Sequence, residues 1–244
     1  MNEIQYLLNH FKPDHFWMCD DIFGLKPGWI QAFNKIVKEK NLKFRYKIQS
    51  RVDLLLEENT IEVLAESGAE TVWVGAESGS QKILDAMDKG TTVEQIFKAT
   101  TLLRQHNIRV GHFLQFGYLG ETREDIDATL KMVLNLVPDE IGISVSYPLP
   151  GTKFYEKVKA GLNEKQNWTD SDDLAMMFKS TFPPAYYKTL HRYVHNRYRM
   201  QRGVHQFKKS FSFTRTALKN ILSMVYNAPL SWIHRYQLKK LSQA

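Results

Sequence analysis

The sequence predicts an α/β fold: parallel strands with helical crossovers over residues 1–160, then a basic, mainly helical region over residues 161–244. Three observations predict it. Short β-rich runs alternate with longer amphipathic segments. Most of those runs lack the in-out alternation of a half-exposed strand, as expected where helices cover both faces. Charge is also divided. Residues 181–244 contain no Asp or Glu and twelve Lys or Arg, while residues 1–180 hold all 26 acids and the other 21 basic residues. Two parts with different electrostatic roles follow.

The strand candidates, in order, are Phe16–Cys19, Phe44–Gln49, Thr71–Ala76, Arg109–Phe116 and Ile141–Tyr147. They are rich in Val, Ile, Phe, Tyr and Trp. Helical patterns lie between them. "PGWIQAFNKIVKEKN" opens on Pro27 and places Trp29, Phe33, Ile36 and Val37 on one face, with Ile30 at its margin. "DLLLEENTIEVLAESG" stops at Gly68, a residue suited to a helix C-terminus. "TTVEQIFKATTLLRQHN" has Thr92 as cap and sets Ile96, Ala99 and Leu103 on one side. "TREDIDATLKMVLNLVP" opens on Thr122, with acids in its first turn that complement the helix dipole. Strands separated in this way imply right-handed βαβ crossovers. An open doubly wound sheet and a partial (β/α) barrel both satisfy the pattern, and in either the strands' C-terminal ends carry the site.

Composition sets bounds. The chain has 244 residues, 43% hydrophobic and 24% charged, which is ordinary for a globular protein. No run of about 18 apolar residues suggests a membrane span. The N-terminus lacks the basic-then-apolar pattern of a signal peptide. One cysteine excludes an internal disulfide and fits a reducing, cytoplasmic setting.

The predicted strand ends are polar. The first ends at Asp20-Asp21, the second at Ser50-Arg51, the third at Glu77-Ser78-Gly79-Ser80. The fourth carries Gln115 and ends at Gly117; the fifth runs into Ser146-Tyr147-Pro148-Leu149-Pro150-Gly151-Thr152. Each has a purely local alternative. The aspartates could cap the next helix, Arg51 could pair with Asp53, Ser78 or Ser80 could bond backbone N–H groups, and "YPLPGT" could be a rigid turn. All five ends are polar at one topological position, and that favours a shared rim. Asp20, Asp21 and Glu77 could also hold a divalent metal.

The series "CDDIFGL", "QSRVDLL", "VGAESGSQKILDAMDKGTT", "FLQFGYLGETREDIDATL" and "SVSYPLPGTKFYEKV" resembles the radical S-adenosylmethionine enzymes over residues 1–160. The similarity is greatest to the subgroup that often carries an N-terminal cobalamin-binding domain. The resemblance implies a partial (β/α) TIM-like barrel. It implies S-adenosylmethionine as cofactor, a [4Fe–4S] cluster on a Cys-x3-Cys-x2-Cys loop, and a 5′-deoxyadenosyl radical. It further implies a reductant such as flavodoxin or ferredoxin, and cobalamin where that domain is present.

This sequence departs from the pattern at the cluster. It has one cysteine, Cys19, and one thiolate cannot replace three. Cys19 reads as a small buried hydrophobe. The resemblance places the start of the chain in the helix before the family's second strand. The cluster loop and any cobalamin domain are therefore expected upstream, in a truncated or split polypeptide. A truncated, non-catalytic binding module is the alternative.

Carried over by position, Asp20 and Asp21 would face the cofactor's amino group, and Arg51 its carboxylate. Glu77 and Ser78 would meet ribose hydroxyls. Gln115 and Gly117 match the adenine-proximal strand, where Leu119 replaces a proline common in the family. Ser146, Tyr147 and Leu149 would flank adenine. His112 could face substrate, although a lone strand histidine is more often packed in the core.

The basic region lies outside the resemblance. "YKTLHRYVHNRYRMQRGVHQFKKSF" interleaves Arg, His and Tyr at helical spacing. Beyond it Leu218, Ile221, Leu222 and Val225 form a stripe that Pro229 is expected to interrupt. The region could be a helix pair packed on the barrel, a contact for an anionic membrane surface, which would make the protein peripheral, or a contact for a partner domain. Nucleic acid is disfavoured, because no recognised binding motif accompanies the charge. The small-molecule substrate is unspecified.

Overall fold

The computed structural model describes residues 1–162, 174, 176–209 and 215–243. Five parallel strands, β1 (Phe16–Trp17), β2 (Tyr46–Ser50), β3 (Ala69–Glu77), β4 (Arg109–Phe116) and β5 (Glu140–Val145), hydrogen-bond in the order β1-β2-β3-β4-β5. That order decides between the two sheet types. A doubly wound sheet reverses direction at a switch point, whereas every crossover here advances by one strand. The fold is the partial TIM-like (β/α) barrel, followed by a helical C-terminal region.

The chain divides into two compact units, each assembled from separated segments. The first comprises residues 1–77, 90–113 and 138–142; the second comprises residues 78–89, 114–137 and 143–244.

In the first unit the helices are α1 (Asn2–Phe11), α2 (Trp29–Glu39), α3 (Val52–Leu55), α4 (Thr60–Glu66) and α6 (Val93–Gln105); α5 (Gln81–Ala86) belongs to the second. α2 buries Ile30, Phe33, Asn34 and Val37. The predicted face is therefore rotated. Trp29 is 40% exposed and Ile36 only half-buried, because Asn34 takes a place in the interior by donating to Glu66 Oε2 at 2.9 Å. Phe23, Phe33 and Tyr46 form an aromatic core around the start of β2, with Phe23 and Phe33 packed T-shaped at 5.6 Å. The single helix expected over residues 53–68 is two. Asn59 adopts a left-handed φ of 58°, which only a few short polar residues accept readily, and it separates α3 from α4.

Thr92 caps α6 in full, its Oγ1 accepting from Gln95 N and its own N–H donating to Gln95 Oε1. Ile96, Ala99 and Leu103 are buried as the spacing predicts. β1 is shorter than expected. Cys19 lies beyond it and is exposed, which corrects its reading as a buried hydrophobe. The strand ends at Trp17, and Met18 N makes one more bond to Lys47 O at 3.0 Å before the chain turns away with the thiol.

In the second unit α7 (Arg123–Leu136) is anchored at its start, where Thr122 N–H donates to Asp125 Oδ2 at 2.9 Å. α8 (Lys153–Val158) is capped by Thr152 Oγ1, which accepts from Tyr155 N; a 3-10 turn, Lys159–Gly161, follows. α9 (Pro184–Lys209) and α10 (Arg215–Leu241) pack on each other, and α9 also packs on α7. α10 continues through Pro229, contrary to expectation. Proline removes one N–H but not the contacts that hold the surrounding turns, and Asn227 and Ser231 on either side of it are buried.

Candidate functional site

The C-terminal strand ends carry the predicted residues, and the two units hold different members. In the first unit Asp20 and Asp21 are exposed in the segment after β1. Arg51 follows β2, half-buried, and its guanidinium forks onto Asp53: Nε donates to Oδ1 at 3.0 Å and Nη2 to Oδ2 at 2.9 Å. Glu77 closes β3 and is half-buried. Its φ is 56°, in the left-handed region where a side chain of this size costs about 1–2 kcal/mol. Strain of this kind persists where the surroundings enforce it, commonly at ligand-binding positions.

Along β3 and β4 one set of side chains is buried and the other is open. Trp73 and Phe113 belong to the open set and stack at 4.7 Å with 28° between the rings. Gly111 leaves room for this pair: a Cβ there would lie 2.4 Å from Trp73 Cδ2. His112 belongs to the buried set. Its Nε2 meets Thr100 Oγ1 at 3.0 Å, and burial first, then the charge of Arg104, pushes its pKa down to about 3. It is a neutral core residue bonded to Thr100 of α6.

In the second unit the strand-end residues divide between buried, internally bonded positions and exposed ones. Ser78 is fully buried, its Oγ 3.1 Å from Thr129 Oγ1 and accepting from Ser80 N. Gly79 N donates to Thr129 Oγ1 at 2.9 Å, and a Cβ on Gly79 would lie 2.5 Å from Ala128 O. Gln115 is half-buried near the end of β4. Gly117 has φ 79°, and its close approach is to Met176 and Tyr187. Leu119 is 45% exposed. Ser146 is fully buried, and its Oγ has no hydrogen-bond partner among the described residues. Tyr147 is half-buried and Leu149 exposed.

Two acids that the strand-end reading passed over dominate this unit. Glu121 is fully buried, and its Oε2 accepts from Gly117 N at 2.6 Å. Burial pushes its pKa up to about 8, so the carboxyl is protonated at neutral pH. Asp125 is the opposite case. Burial alone would raise it, but hydrogen bonds from Lys82, Ser80 and Thr122 outweigh that and hold it at about 2. The four-residue spacing of Glu121 and Asp125, at the start of a helix, was the available signal.

Among the described residues no group of three or more His, Cys, Asp or Glu is placed to hold a metal ion. Asp20, Asp21 and Glu77 are therefore not brought together as a divalent-metal site. The exposed Cys19 does not fit an iron–sulfur cluster either. In the first unit, exposed carboxylates follow β1 and a carboxylate on left-handed backbone ends β3. A cleft of about 460 Å³, lined by residues including Leu8, Phe44, Arg45 and Gly68, lies by the N-terminal ends of β2 and β3, away from the strand ends that carry chemistry in such folds.

Comparison with known proteins identifies the family and the fold. The Radical SAM superfamily profile matches residues 1–133. An uncharacterized methyltransferase of Pyrococcus horikoshii is 30% identical over 170 residues, 69% of this chain and 37% of that protein. The anaerobic magnesium-protoporphyrin IX monomethyl ester cyclase of Rubrivivax gelatinosus is 26% identical over 65% of this chain and 29% of its own length. The chain thus spans about a third of the length of these relatives. Among solved structures, the cobalamin-dependent S-adenosylmethionine radical enzyme OxsB matches all of this chain and 42% of its own, with TM-score 0.62 and 18% identity. The radical S-adenosylmethionine methyltransferase TsrM from Kitasatospora setae covers 61% of this chain and 30% of its own, with TM-score 0.54 and 21% identity. At these identities the structures speak for the fold. With a profile matched over more than half its length, on strands in the order such a barrel requires, the chain belongs to the radical SAM superfamily.

Proposed function

We propose that the chain supplies the cofactor-orienting strand ends of a radical S-adenosylmethionine enzyme, possessing the cofactor contacts but not the iron ligands. The cluster would be held by residues outside these 244. When bound there, S-adenosylmethionine supplies a 5′-deoxyadenosyl radical that takes hydrogen from substrate. The chain's own part is binding. Asp20 and Asp21 attract the cofactor's ammonium group. Arg51 answers its carboxylate, exchanging the Asp53 partner for another carboxylate of the same geometry. Glu77 accepts from ribose hydroxyls, which its two oxygens suit. The uncharacterized methyltransferase among the sequence relatives supports methyl transfer as the reaction type, and we propose cobalamin as its further cofactor.

The observation that carries the reading is the left-handed backbone of Glu77 at the end of β3. Equilibrium binding of S-adenosylmethionine tests it, using Glu77→Gly. Glycine accepts this φ without strain, so the variant should fold at least as well as the parent. Affinity should fall about tenfold with loss of the carboxylate's hydrogen bonds. Unchanged affinity in a folded Glu77→Gly protein would defeat the assignment.

A further inference from the structure

The α9–α10 hairpin has its polarity reversed, and from this we infer that α10 lies on an anionic membrane surface. The face of α10 turned to α9 is mixed, with polar and small groups at its middle and Met224 and Leu238 on either side of them. Asn227 and Ser231 are buried on it. His234 Nδ1 accepts from Asn196 Nδ2 of α9 at 3.0 Å. Gly203 of α9 sits so close that a Cβ on it would lie 2.7 Å from Met224. The face turned outward is apolar and aromatic: Leu222, Val225, Tyr226, Trp232, Ile233 and Tyr236 are all exposed, Trp232 at 76% and Tyr226 at 68%. A helix in water normally buries the second kind of face and exposes the first. Small residues in close approach, with hydrogen-bonding side chains between helices, are the way helices pair when their outer surface meets hydrocarbon.

The occupant follows from charge and length. Lys219, Arg235, Lys239 and Lys240 are exposed on the same helix, and residues 181–244 contain no acid to neutralise them. Lys240 lies 4.7 Å over the ring of Tyr236, a cation held beside an aromatic at the apolar margin. Each such cation is drawn toward an anionic leaflet. A second copy is a poor cover for this face, since two surfaces of one sign repel. No helix among the described residues is long and apolar enough to cross a membrane. α10, with 27 residues and a length of about 40 Å, would therefore lie in the interface plane, aromatic side down.

This inference is independent of the cofactor reading. Flotation of the full chain tests it with two vesicles: phosphatidylcholine alone, and phosphatidylcholine with about 30% phosphatidylserine. Binding to the second should exceed binding to the first and weaken with added salt. Trp232 emission should shift to the blue on binding, a change absent from Trp232→Phe. The double variant Trp232→Ser, Ile233→Ser alters exposed positions and should keep the parent's circular dichroism, while binding falls about tenfold or more. Equal binding of parent and variant would overturn the proposal. So would a failure to bind the anionic vesicle, and dimerisation lost in the variant would then assign the face to a second copy.

Discussion

Ser80 Oγ donates to Asp125 Oδ1 at 2.7 Å, joining two residues 45 positions apart in sequence. Lys82 Nζ reaches Oδ2 at the same distance, and Thr122 donates to Oδ2 through both its N–H and its hydroxyl. One buried carboxylate thus ties the start of α5 to the start of α7. Asp125→Asn keeps the shape but discards the charge that Lys82 answers. The variant should lose about 2 kcal/mol in urea unfolding at neutral pH. The folded-state pKa of about 2 lies below the ordinary value of 3.8. The stabilisation is therefore present above about 4 and lost as pH falls toward 2, so parent and variant should converge in acid.

Glu121 should act in the other direction. Its folded pKa of about 8 stands above the ordinary 4.5, with burial the main cause. The neutral acid is favoured in the folded state. Its contribution is complete below 4.5 and declines as pH rises through 8, at no more than about 1.4 kcal/mol per pH unit. Glu121→Gln imitates the neutral form and should remove that slope. Urea midpoints at pH 5, 7 and 8.5 decide it: parallel curves for parent and variant would mean an ionised Glu121.

His112 should stay neutral well below pH 6. Its ring is buried against Thr100, and its pKa is pushed down to about 3. Stability tied to it is present above 6.5 and declines as pH falls toward 3. In proton NMR its ring signals should not titrate between pH 7.5 and pH 5. Thr100→Val should cost about 1–3 kcal/mol by leaving the ring without that partner. A ring shift near pH 6.5 would refute the buried placement.

Gly111→Ala should cost about 1–3 kcal/mol, because the new methyl would collide with Trp73. The same change in a Trp73→Ala background should cost much less. A double-mutant cycle read by urea unfolding measures that coupling, and additive losses would show that the ring yields freely.

The strands were legible because their apolar runs and polar ends recur at regular spacing; β1 and β5 each stopped two residues short. The caps at Thr92 and Thr122 were legible because side-chain capping is a local event. What sequence patterning missed depended on distant contacts. Asn34 is buried because Glu66 comes to meet it. Cys19 is exposed because the chain leaves the sheet at Trp17. Leu218, Ile221, Leu222 and Val225 read as a stripe whose partner the sequence left open; they are exposed, while α9 meets the opposite face. Of the strand-end residues, Glu77 bears an unusual backbone, while Ser78 and Gly79 are engaged by Thr129, fifty residues away and silent in the local motif.

The brevity of β1 has a consequence for assembly. The outermost strand of a sheet presents unpaired backbone groups to any extended segment that drifts against it, and long flat borders seed fibrils. Here that border is two residues, Phe16 and Trp17, with the Lys47 ammonium 3.9 Å from the Trp17 ring. An incoming strand would find almost nothing to zip onto.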